Sequence, residues 1–186
     1  MVMVNPDGSG FRQLTNGANN NNYPSYSPDG KQIVYRTMGP EGQGLRVMNL
    51  ADKSVRTLTS GYDNFPGWSP RGDLILFTRK VDPVFQIFTI RPDGTDLRQL
   101  TFSPANEGHA VWSPDGGSIL LLSARMGFKD EVIYLDGQQP QGEMFVMRSD
   151  GTQVRQLTDN QWEDGTAAWQ PEPARTQVTV QPAKFR

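Results

Sequence analysis

Four residues able to bind a cation through oxygen recur at one distance from a proline. Asn21, Asp63, Glu107 and Asp164 each stand seven residues ahead of Pro28, Pro70, Pro114 or Pro171. Two places further on, the same ruler gives Tyr23, Phe65, His109 and Thr166, so the single histidine shares this register. If the repeat is structural, three carboxylates and an amide gather at one mouth of a common axis. Like charges held close raise one another's pKa or recruit a cation, and oxygen-only ligands favour Ca²⁺ or Mg²⁺ over softer metals. The reading preferred is that they are solvated turn residues, repeated because the unit is, and that no cofactor binds. The alternative makes Asp63, Glu107 and Asp164 candidate metal ligands, with Ca²⁺ the cation.

His109 beside Glu107 would be favoured in its charged form, or it is a surface or structural histidine. One histidine in a chain without cysteine does not make a typical zinc site. No serine lies in a nucleophile-elbow context, because each repeated Ser-Pro reads as a turn. Without a catalytic constellation or a cofactor loop, the residues give no support to an enzyme. Two places break the repeat. One is an insertion over about residues 126–142, with Phe128 and Tyr134 amid Gly and Gln; long loops on rigid scaffolds often carry binding residues. The other is Trp162, the one tryptophan outside the repeated position, placed next to acidic residues as at many interfaces, or else packed over the channel mouth. The candidates for the channel mouth or for partner binding are thus Asn21, Asp63, Glu107, His109, Trp162, Asp164, Phe128 and Tyr134.

The elements that must position these residues follow from the repeat itself. Tyr26-Ser27-Pro28-Asp29-Gly30 returns as Trp68-Ser69-Pro70-Arg71-Gly72 and Trp112-Ser113-Pro114-Asp115-Gly116, with a worn copy at Trp169-Gln170-Pro171. Each unit closes on Leu-Thr, at Leu14-Thr15, Leu58-Thr59, Leu100-Thr101 and Leu157-Thr158. A fixed period in this range marks a repeat architecture. The prolines are spaced by 42, 44 and 57 residues and the leucines by 44, 42 and 57, so both rulers place the insertion in the third unit. Each unit holds four strand candidates, illustrated by Pro24–Ser27, Gln32–Tyr35, Leu45–Met48 and Val55–Leu58 in the first. Asp7-Gly8, Asp93-Gly94 and Asp150-Gly151 lie between the third and fourth strands, where Gly would supply the positive φ of a primed hairpin turn. No window keeps a 3.6-residue apolar period, so helix should be nearly absent.

Four-stranded units of this length predict an all-β propeller with antiparallel blades. The aromatic before each Ser-Pro or Gln-Pro would pack between blades. Arg12, Arg56, Arg98 and Arg155 would guard the outermost edge.

These residues carry a family resemblance. Ser-Pro-Asp-Gly together with Asp-Gly-Thr-x-x-Arg-Gln-Leu-Thr resembles the PD40 (WD40-like) repeat of the TolB β-propeller family, over residue 1 to about 171. The resemblance implies a non-enzymatic scaffold for protein–protein interaction in the bacterial envelope, periplasmic or extracytoplasmic, through the channel mouth or the 126–142 loop. Similar repeats also imply alternatives: the propeller of a carbohydrate-active lyase or of a prolyl-oligopeptidase-like hydrolase, or a fragment without its own activity. The chain departs from full-length members in showing no N-terminal domain and too few units for a six-bladed ring. Residues 1–4 do not read as a signal peptide, which leaves a cytoplasmic location as the alternative.

The composition agrees with a single domain of short strands and turns, with 19 Gly, 14 Pro and 35% hydrophobic residues. A net charge of −2 and a pI near 5.4 argue against nucleic acid, and no apolar stretch is long enough to insert into a membrane. The expected units are 16–59, 60–101 and 102–158. A fourth blade would be split between 159–186 and 1–15, closed by a strand at 176–180 pairing with residues 1–5. Closure gives four blades and a monomer. The alternative is an open piece of a larger propeller, paired as a homodimer.

Overall fold

The computed structural model describes residues 1–127, 142–160 and 164–170. Twelve strands form three antiparallel four-stranded sheets. The first blade comprises β3 (Asn20–Tyr26), β4 (Gln32–Gly39), β5 (Gly42–Asn49) and β6 (Val55–Thr57). The second comprises β7 (Asp63–Trp68), β8 (Ile75–Val81), β9 (Val84–Ile90) and β10 (Arg98–Gln99). The third comprises β11 (Glu107–Trp112), β12 (Ser118–Ser123), β13 (Glu143–Arg148) and β14 (Arg155–Gln156). Ahead of them, β1 (Val2–Met3) pairs with β2 (Arg12–Gln13) as a separate hairpin. The described residues contain no helix.

Alternation along the strands explains how the blades stack. Successive side chains of a strand point to opposite faces, and here both faces meet a neighbour. Val34, Leu45 and Val47 of the first blade pack with Ile75, Phe77, Phe88 and Ile90 of the second. The intervening Leu76 and Ile87 turn the other way, onto Ile119, Leu121, Phe145 and Met147 of the third. Ile33, Tyr35 and Met48 look back to Met1 and Leu14 of the hairpin. The middle strands therefore carry unbroken apolar runs, Ile33–Tyr35, Ile75–Phe77 and Ile119–Leu122, as strands covered on both faces favour.

The Ser-Pro turns are held by the serine. Ser27 Oγ donates to Asp29 (2.6 Å) and accepts the Gln32 amide (2.9 Å); Ser113 repeats this with Asp115 and Ser118. In the second unit Arg71 replaces the aspartate, and Asp73 takes the Ser69 hydroxyl instead (2.7 Å). Each turn ends on a glycine with φ between 69° and 76°, a region in which a side chain is strained.

The Asp-Gly hairpins differ from the primed turn expected of them. Gly94 N donates to Arg91 O and Arg91 N to Thr95 O, which encloses three residues, with only Gly94 of the three at positive φ. The same three-residue loop closes between Asn5 and Ser9 and between Arg148 and Thr152, the last with Ser149 where the others have proline, so its common feature is the terminal left-handed glycine and not the proline.

The split blade is described only in part. Residues 166–170 form no ladder among the described residues, and Asp164 makes a single bridge to Gly142. A first strand needs a second strand to pair with, and the 176–180 segment assigned that role lies outside the described residues. So do Phe128, Tyr134 and Trp162.

Candidate functional site: the axial cleft

The innermost strands β3, β7 and β11 each carry a bulge at one repeat position. Pairing breaks between Asn22 and Ser25, between Asn64 and Gly67, and between Gly108 and Val111. Tyr23, Phe65 and His109 occupy the bulges, with φ of 54°, 51° and 48°. Positive φ is uncommon for non-glycine residues and costs free energy where it occurs, so it persists only where the surroundings impose it. Here it turns three rings into one row. The Tyr23 and Phe65 centroids are 4.4 Å apart at 47°, and those of Phe65 and His109 are 4.2 Å apart at 40°.

The row forms one wall of a cavity of about 870 Å³ lined by the innermost strands and by residues 166–169. Its rim carries the repeated prolines and Tyr26, Trp68, Trp112 and Trp169. Among the described residues, no Asp, Glu, Lys or Arg side chain lines it. Such a surface desolvates cheaply and rewards apolar and aromatic groups.

The repeated tryptophans also tie neighbouring blades. Trp112 Nε1 donates to Gly67 O (3.2 Å) and Trp169 Nε1 to Val111 O (3.3 Å). The Trp68 ring packs on the core between the first and second blades.

Asn21, Asp63 and Glu107 stand at or near the starts of the innermost strands and Asp164 at the equivalent repeat position, and Asp63 and Glu107 are drawn into the protein. Asp63 is 1% exposed and receives a bidentate Arg79 at 2.7 and 2.8 Å, together with the Thr59 hydroxyl. Glu107, fully buried, pairs with Arg125 (2.8 Å) and accepts the Ser103 hydroxyl. Asp164 accepts the Thr158 hydroxyl, and the Asn21 amide donates to Asn19 O. Among the described residues, no three His, Asp or Glu side chains gather as a metal site would require. Burial pushes the Glu107 carboxyl above its ordinary range, outweighing the opposing pull of Ser103 and Arg125.

Two features escaped the sequence reading. One is the threonine of each Leu-Thr: Thr59, Thr101 and Thr158 accept the amides of Leu45, Ile87 and Met144 in their own blade. Thr59 and Thr158 also donate to the carboxylate that opens the next unit, so the end of one unit is latched to the start of the next. The other is the ring row. Tyr23 and Phe65 share the histidine's register, which is its one trace in the sequence.

Residues 1–135 match the model of the TolB beta propeller domain (PD40). A protein TolB homolog of Chlorobium luteolum is 33% identical over 131 residues, covering 70% of this chain and 30% of its own. A dipeptidyl-peptidase 5 of Porphyromonas endodontalis is 32% identical over 104 residues, covering 52% of this chain and 15% of its own. The structure of a putative TolB from Agrobacterium tumefaciens superposes with a TM-score of 0.72 at 24% identity, over 88% of this chain and 57% of that one. The chain thus spans under a third of the length of these curated relatives.

Proposed function

The chain belongs to the TolB β-propeller family, and on that premise we propose that it is a non-enzymatic scaffold that binds a protein partner in its axial cleft, outside the cytoplasm, in the cell envelope. The supporting observation is the cleft itself: a wall of tilted rings in contact, held in strained backbone, with no Asp, Glu, Lys or Arg side chain lining it among the described residues. A surface of this kind takes up apolar side chains of a partner, and aromatic pockets supply most of the energy of many protein interfaces. Similarity to TolB proteins supports the envelope location.

The test is a photo-crosslinking amino acid at Tyr23, compared with one at Phe102, which is 78% exposed and does not line the cleft. In the source cell, Tyr23 should give one adduct with an envelope protein, absent from Phe102 and lost on adding Phe65→Ala. No adduct at Tyr23, or equal adducts at both sites, would overturn the reading. A second reading rests on the similarity to dipeptidyl-peptidase 5: the propeller would guard a peptidase, and the Tyr23 adducts would be short peptides.

A further inference from the structure

The first blade departs from the other two on the face it turns to the β1–β2 hairpin. On the matching face the second blade carries the buried pair Asp63–Arg79, directly opposite one another in the ladder. The same ladder position in the first blade is Asn21–Thr37, a neutral amide and a short hydroxyl. Two residues back along the middle strand, Phe77–Phe88 of the second blade and Leu121–Phe145 of the third become Tyr35–Arg46. The first blade thus has an amide, two hydroxyls and a guanidinium where its neighbours are plugged by an ion pair and apolar rings or chains. These residues border a cavity of about 340 Å³, whose lining also includes Lys53, Glu41 and the loop after β2. Residues directly opposite in a ladder share a face, and on this face Tyr35 and Met48 meet Met1 and Leu14 of the hairpin.

Arg46 is held by one nitrogen. Its Nη1 donates to Leu45 O and Thr59 O (3.1 Å each) and to Gln43 O (3.4 Å). Its Nε and Nη2 have no hydrogen-bond partner, and no carboxylate lies within ion-pair distance, among the described residues. Tyr35 and Thr37 are 4% and 3% exposed, and their hydroxyls also lack a partner there. None of these four atoms is sealed inside the protein, and all belong to residues that line the cavity. Hydroxyls of buried residues are as a rule hydrogen-bonded, so two open ones beside a free guanidinium edge mark a place where a polar ligand completes the bonding. Glu41, the one carboxylate in the lining, is exposed and tied to Asn19, which accepts its amide (3.1 Å) and donates to its Oε2 (3.3 Å). Arg46 and Lys53 against Glu41 leave the lining net positive.

We propose that this cavity binds a small hydroxylated carboxylate. The acid group pairs with the Nε–Nη2 edge of Arg46, which presents two parallel donors to a carboxylate, and the ligand's hydroxyls bond Tyr35, Thr37 and Asn21. The ligand supplies the negative charge that Asp63 supplies in the second blade. The site shares no lining residue with the axial cleft and does not depend on it.

The test uses D-gluconate and D-glucitol, which share a hydroxylated carbon chain and differ at the terminal carboxylate. Titrated into the whole chain and followed by NMR, gluconate should bind roughly tenfold more tightly, the range of a charge-assisted pair. It should shift the amides of Thr37 and Arg46 and leave those of Tyr23 and Phe65 in place. Arg46→Gln should bring the two probes level, and Tyr35→Phe should weaken both roughly threefold. Asn21→Asp combined with Thr37→Arg rebuilds the pair of the second blade and should abolish binding of both. Equal binding of the two probes to the wild type, no saturable binding of gluconate, or shifts confined to residues outside the cavity would each overturn the inference. So would an unchanged preference in Arg46→Gln. The wild-type comparison needs no variant, so it holds even if Arg46→Gln fails to fold. Photo-crosslinking at Tyr23 reads the axial cleft separately, so either site can fail while the other stands.

Discussion

At the scale of the residue, position in a repeat did not settle role. Asp63 and Glu107 look like a ring of exposed carboxylates when the units are aligned, yet each is buried against an arginine. The sequence could not show this, because Arg79 and Arg125 lie sixteen and eighteen residues away from their partners and at different register positions. Burial gives Glu107 a testable signature. Its carboxyl is raised above its ordinary value of about 4.5, so over that interval the folded state holds a proton that the unfolded chain releases. Stability should therefore fall as pH rises from about 4.5 through the raised value, and Glu107→Gln should flatten that slope in urea denaturation followed by fluorescence. The turn aspartates act in the opposite sense. Hydrogen bonds from Ser9, Thr95 and Thr152 hold Asp7, Asp93 and Asp150 below 3.8. Their contribution is present above 3.8 and is lost as pH falls through the lowered values, so the two windows lie on either side of the range around pH 4.

At the scale of the element, the turn motifs were legible because their physics is local. Ser, Pro, Asp and Gly each contribute within five residues, and the sequence needs no tertiary partner to place them. What the motif left open was the serine's burial, since Ser27, Ser69 and Ser113 are all under 9% exposed. Ser27→Ala removes an acceptor for the Gln32 amide and a donor to Asp29. The expected cost is about 1–3 kcal/mol, read from the urea midpoint. Gly94→Ala should cost about 1 kcal/mol or more through its φ of 91° alone, since a Cβ there meets nothing within 4 Å. A neutral result would show that the loop can change its turn type. The bulges were not legible. Tyr23, Phe65 and His109 have the composition of ordinary inner-strand residues, and the left-handed backbone that turns them into one row appears only in the assembled sheets.

At the scale of the whole molecule, stability lies between blades. Phe77 is fully buried among Val34, Leu45 and Val47 of the first blade and Phe88 of its own. Phe77→Ala should cost about 3–5 kcal/mol and weaken the first and second blades together, measured as one cooperative shift in the urea transition. Two separate transitions would mean that the blades unfold independently, as weakly coupled repeats do. Trp112→Phe keeps most of the ring but loses the bond to Gly67 O. A smaller loss of about 1 kcal/mol is expected, read from the urea midpoint.

The sequence by itself determined the blade. The forty-residue period, four strand runs and turn residues at fixed offsets depend on neighbours in the chain, and the propeller of the TolB family follows from them. Only the tertiary structure decided what the repeated positions do. Whether an acidic residue faces solvent or an arginine, whether a threonine latches the next unit, and whether three rings come into contact depend on which faces of successive blades meet. That is fixed by packing between residues dozens of positions apart, which no single repeat encodes.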